Sequence, residues 1–197
     1  MLKKLLKPFL FIMLAAGLVC DAQEKASSNL ILKVDANVSG PFGGQKSSSC
    51  LRVHSDGKVL YAHWWNSFAT VVDEKTGKES RPENTVSVEH HLDDGDKWEL
   101  SSFLESKVLK GLPEKFGPPH QPVDYFESIT VQIIASNGKQ KQISTREFYV
   151  ANLEEKSRYP SALIVLMDKI DEIEREANEK GKPTSPPPDC QLKPEHP

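Results

Sequence analysis

What the chain lacks narrows it first. Its longest apolar run, residues 8–19, has 12 residues, short of the roughly 20 that a membrane-spanning helix needs. Positive charge is not in excess: 25 Lys and Arg stand against 28 Asp and Glu, a net charge of −3, so no basic face for nucleic acid is expected. Cysteine is scarce, with three in 197 residues, and no Cys-x-x-Cys pair exists to carry thiol redox chemistry. Absent too are the Gly-x-x-x-x-Gly-Lys-[Ser/Thr] phosphate loop, the His-Glu-x-x-His zinc helix and the Gly-x-Ser-x-Gly nucleophile elbow. No catalytic residues, no metal site and no cofactor are therefore expected, and the reading is non-enzymatic.

What is present begins with a leader. Lys3, Lys4 and Lys7, the short apolar run and the Cys-Asp-Ala after it make residues 1–22 a signal peptide. Cleavage after Ala22 is expected over lipid attachment at Cys20, because Val19 is not the small residue that a lipid-processing site takes. An exported chain of about 175 residues follows, with a net charge near −5 and no transmembrane segment, enough for one domain. Its two cysteines, Cys50 and Cys190, meet an oxidising compartment, and one disulfide between them is the simplest use of the pair.

After a polar lead-in at 23–29, the domain is expected over 30–180 and a proline-rich, mobile tail over 181–197. "LILKVDANV" reads as a strand, and "LRVHSDGKVLYAHWW" as a hairpin turning at Asp56-Gly57 through two residues, with Val53 opposite Leu60 and Leu51 opposite Ala62. The polar "QKSSS" between them reads as loop, with order resuming at Cys50. "FATVVDE" and "TVSVEHH" read as further strands. In "KWELSSFLESKVLKGL" the spacing of Leu100, Phe103, Leu104, Val108 and Leu112 predicts one helix, capped by Asp96 and Glu99. A second hairpin turns at Asn137-Gly138, where a three-residue loop sets Ile143 against Val131, and a long helix carries Leu163, Leu166, Ile170, Ile173 and Ala177. The fold expected is α+β: an antiparallel sheet of about five to six strands with two helices on one face.

Two places suggest contact with a partner. In "VSGPFGGQ" the glycines Gly40, Gly43 and Gly44 surround one large apolar side chain, Phe42, which such a loop can present to a groove. In "HWWNSF" the neighbours Trp64 and Trp65 point to opposite faces of a strand, which makes Trp65 a candidate contact. His90 and His91, with Asp93 and Asp94, are the nearest approach to a metal cluster, but adjacent strand residues diverge and do not converge on one ion.

The order of "SGPFGG", "LKGLPEKF", "DYFESITVQI", "NGK" and "YPSALIVLMDKID" over residues 30–175 resembles small bacterial domains that include the emfourin-type inhibitors of protealysin-like metallopeptidases. That resemblance implies a proteinaceous peptidase inhibitor. Its partner-binding residues here would be Phe42, Gly43, Gly44 and Trp65. The chain departs from the family layout by an insertion after the first hairpin, by the cysteine pair and by the proline tail. The alternative expectation is an envelope-associated structural or interaction protein, anchored as a lipoprotein if Cys20 is retained.

Overall fold

The computed structural model describes residues 29–40, 45–67, 70–117, 126–146, 148–149 and 153–192. In chain order these form β1 (Leu30–Ser39), β2 (Lys46–His54), β3 (Lys58–Asn66), β4 (Val71–Val72), β5 (Glu79–Ser80) and β6 (Glu83–His91). Next come α1 (Asp94–Leu104), α2 (Lys107–Lys110), β7 (Lys115–Phe116), β8 (Phe126–Ile134) and β9 (Gln140–Arg146), then α3 (Leu153–Lys156), α4 (Ser161–Lys180) and β10 (Lys182–Pro183). Eight strands make one sheet in the order β10-β6-β3-β2-β1-β8-β9-β7, and β4 with β5 makes a separate ribbon. All pairs are antiparallel except β7 with β9.

This corrects the expected fold class. The sheet is larger than five to six strands and mixed, and the helical layer is not two whole helices. The short strand β7, parallel to β9, is what makes the sheet mixed, and three other segments also depart from the expectation. The serine run at 46–49, expected as loop, is the first half of β2, held by backbone pairing to β1 and β3 from Ser39↔Lys46 onward. A polar sequence forms a strand there because both neighbours satisfy its backbone, which no apolar alternation announces. The middle helix breaks at Glu105–Ser106, where the Ser106 hydroxyl caps α2 by accepting from Leu109 N. The break turns Leu109 inward and leaves Val108 63% exposed, so the single helical stripe expected through Val108 fails. The start of α1 is likewise capped by Asp93, which accepts from Asp96 N at 2.9 Å, rather than by Asp96 with Glu99.

The third segment is the C-terminus. Residues 181–192, expected as a mobile tail, are instead laid against the sheet. β10 pairs with Glu89 and Val88 of β6, Pro187 is buried, and Cys190 is bonded to Cys50 with the two Cα atoms 5.9 Å apart. Residues 193–197 lie outside the described residues.

The core lies between one face of the sheet and the helices. Leu32 and Val34 of β1, Leu51 and Val53 of β2, Val59 and Tyr61 of β3, and Ile129, Val131 and Ile133 of β8 meet Leu100, Leu104 and Leu109. They also meet Leu163, Leu166, Ile170, Ile173 and Ala177 of α4. The first hairpin reaches this arrangement with a register one residue away from the expected one: Val53 opposes Val59 and Leu51 opposes Tyr61. Its loop has three residues, because Gly57 adopts φ +91° and its N–H closes on His54 O. Shifting one strand by one residue exchanges its faces, so Leu60 and Ala62 lie away from the helices. The second hairpin has the expected register, Val131 opposite Ile143, with Gly138 at φ +77°.

Candidate functional site

The face of the sheet away from the helices is mixed, with Lys33, Asp35, Ser48 and Arg52 beside Cys50, Leu60, Ala62 and Trp64, and is crossed by the C-terminal strap, residues 182–192. Thr184 N donates to Ser87 O, Asp189 bridges Lys33 (2.9 Å) and Arg52 Nε (3.0 Å), and Ser48 Oγ donates to Leu192 O. The strap therefore runs from β10, at the edge beside β6, across to β1. Beneath it Arg52, only 2% exposed, also donates to Asp35 and to the carbonyls of Val34 and Leu51. Lys33 and Arg52 together hold the Asp189 carboxyl below its ordinary value, against the opposing effect of its own partial burial. The Cys50–Cys190 disulfide fastens the strap to this face, and no helix among the described residues is long and apolar enough to cross a membrane.

On the helix face, at the end of the sheet nearest the β1–β2 turn, His63 and Trp65 are only partly buried. Phe42, Gly43 and Gly44 lie outside the described residues. Their neighbours fix where they attach: Gly40 N donates to Gln45 O at 2.7 Å and Ser39 pairs with Lys46. The glycine stretch is thus the connection of a β1–β2 hairpin. Trp65 belongs to the same end of the sheet, opposite Ser47 on one side and Asn84 on the other, and is half-buried. It continues a row along β3: the Tyr61 and His63 rings are 6.4 Å apart, and the His63 and Trp65 rings 4.9 Å. Trp64 points the other way, is 5% exposed, and donates from Nε1 to Glu83 at 3.4 Å. His90 and His91 diverge as expected of neighbours in a strand, the first toward Glu176 and the second toward Glu89.

The row is bordered by groups that the sequence reading did not single out. Burial pushes the Tyr61 phenol up, and the carboxylates of Glu174 and Asp171 on α4 push it further. Burial raises Tyr149 as well, with Glu174, Asp171, Glu127 and Asp168 adding to it. Glu127, 3% exposed, accepts from Tyr149 N at 2.8 Å, and the Tyr149 hydroxyl donates to Met167 O. His63 is lowered by burial and so is neutral at pH 7. Glu174 is pushed up to about 8, by burial first and then by Asp171. Beside the indole the site therefore holds a neutral imidazole and a protonated carboxyl, while Tyr61 packs in the core and the Tyr149 hydroxyl is engaged with Met167 O. The alternation Tyr61-x-His63-x-Trp65 was the one signal of it in the sequence. The carboxylates on α4 could not be told from a solvated helix face.

The Glu174 shift has a direct consequence for stability. Below its ordinary 4.5 both folded and unfolded chains hold the proton, and above about 8 neither does. Between them only the folded chain keeps it, so stability falls as pH rises through that window. Glu174→Gln is expected to remove that fall, about 1–2 kcal/mol for a half-buried group, as read from urea unfolding at acidic and mildly alkaline pH. An unchanged slope would refute the assignment.

No protein-family model matches the chain, and none of the curated proteins compared with it does.

Proposed function

We propose that this chain is an exported, non-enzymatic protein-binding domain, and that it acts as a proteinaceous inhibitor of a metallopeptidase, the activity implied by its emfourin-like layout. The observation that carries the reading is convergence. The hairpin connection that holds Phe42 and the aromatic row ending at Trp65 belong to the same end of one sheet. Binding energy concentrates in a few aromatic anchors surrounded by near-neutral contacts, and a loop beside a half-covered Trp on a rigid strand supplies that pattern. The disulfide supports export, because such bonds persist in oxidising compartments.

The test is affinity capture from an exported fraction, followed by inhibition assays with any metallopeptidase recovered. Phe42→Ala and Trp65→Ala are each expected to weaken capture at least tenfold, about 1.4 kcal/mol or more. Recovery of no peptidase, or capture indifferent to both substitutions, would sink the proposal.

A further inference from the structure

The strap is tied to the rest of the chain in sequence through one residue, Gly181. Its backbone is ordinary, with φ −69° and ψ 155°, but its surroundings are not. A Cβ built there would lie 2.3 Å from Ala177 O and 2.8 Å from the Val88 Cβ. The end of α4 is pressed against the edge strand where the chain must turn back onto the sheet, and only a hydrogen fits. Beyond that hinge, the strap's holds are on β1, β2 and β6: backbone bonds to Val88, Glu89 and Ser87, the Asp189 carboxylate on Lys33 and Arg52, and Cys190 on Cys50. None of these contacts depends on the strap coming from the same chain.

We propose that the strap and the face that receives it form an exchangeable pair, the strap of a second copy of this chain docking on Lys33 and Arg52 with its Cys190 bonded to Cys50 across the two copies. Charge complementarity chooses this occupant: the face presents a buried guanidinium and an ammonium, and the strap presents the carboxylate that fits them. Reciprocal exchange is two-fold symmetric, fills both faces and leaves no open end, so it stops at a dimer. Only the hinge changes, and a side chain placed at Gly181 would meet Ala177 O and Val88 in the closed form, so a substitution there favours opening. What favours the closed monomer is the high local concentration of a tethered segment, on the order of millimolar for a short link.

The bonds rearrange without net oxidation or reduction. A small thiolate of the glutathione class attacks Cys190 Sγ, the more exposed of the two sulfurs, and Cys50 leaves as a thiolate. Once the straps have exchanged, each Cys50 thiolate attacks the Cys190 Sγ of the other copy's strap and expels the small thiolate. Two intramolecular disulfides become two intermolecular ones.

The test uses the whole chain carrying Cys20→Ser, so that Cys50 and Cys190 are its only thiols. Equal parts of isotopically heavy and light protein are held in a glutathione redox buffer over a range of concentrations, quenched by alkylation, sized by light scattering and mapped by mass spectrometry. The expected product is a dimer containing heavy–light Cys50–Cys190 peptides, near one per cent at about 10 µM and roughly half near 1 mM. Gly181→Val is expected to bring the same dimer to at least tenfold lower concentration. Should that variant fail to fold, the concentration series of the Cys20→Ser chain decides alone. Absence of heavy–light Cys50–Cys190 peptides at the highest concentration overturns the proposal, as does a dimer joined through Cys50 to Cys50.

Discussion

Cys190→Ser, or selective reduction of the bond to Cys50, is expected to lower stability by about 3–4 kcal/mol and the unfolding temperature by roughly 6–16 °C. The bond joins residues 140 apart in sequence. Closing a loop of that length removes much of the freedom of the unfolded chain, about 5 kcal/mol at 25 °C on the chain-entropy view. The expected figure is lower because an unfolded chain under native-like conditions is more compact than a random coil, so closing the loop removes less of its freedom. Urea titration with and without reductant separates the causes. A fall in midpoint accompanied by a steeper dependence on urea shows the unfolded chain expanding once the cross-link is lost. A fall in unfolding temperature under 2 °C would mean that the cross-link does little to restrict the unfolded chain.

Both hairpin loops were readable as Asx-Gly turns, yet only one register followed. Asp56 and Asn137 do the same work: each side chain accepts from the backbone N–H two residues on, Lys58 at 3.0 Å and Lys139 at 3.1 Å. Each following glycine takes a positive φ. The loops are alike, and the two-residue reading of the first failed because Leu60 and Ala62 made an apolar row as convincing as Val59 and Tyr61. Alternation of apolar residues on both faces leaves register undetermined. The C-terminal strap was illegible for a different reason. Its composition is that of an unfolded linker, and what holds it is a buried arginine 137 residues away in sequence and a cysteine 140 away. Local pattern carries no trace of such contacts. At the candidate site the sequence named Trp65 and the turn beside it, while Tyr149, Glu127 and Glu174 come to that end of the sheet only through packing of distant elements.

Arg52→Ala is expected to cost about 3 kcal/mol, the low end for breaking a buried ion pair. The guanidinium is nearly inaccessible and its donors reach four acceptors: two carboxylates, on Asp35 and Asp189, and the carbonyls of Val34 and Leu51. Its removal strands those groups and opens a void where the side chain packed. The cost stays at the low end because Asp35 and Asp189 are 38% and 48% exposed and recover water. Arg52→Met, which fills the void, is expected to recover about half of the loss. A double-mutant cycle with Asp189→Asn assigns the rest. If Arg52 serves to seat the strap, the coupling to Asp189 is about 1 kcal/mol or more in the oxidised protein. It shrinks on reduction, because a strap freed from Cys50 spends less time over the guanidinium. The acid limb tests the same pair. The Asp189 carboxyl is held below its ordinary 3.8, so its contribution is present above that pH and is lost as pH falls through the lowered folded value. That loss should disappear in Arg52→Met if the guanidinium is the dominant partner, and persist if Lys33 is. A coupling that is equal in the reduced and oxidised proteins would show that Arg52 holds the strap without help from the disulfide, and that the two restraints act on the tail independently.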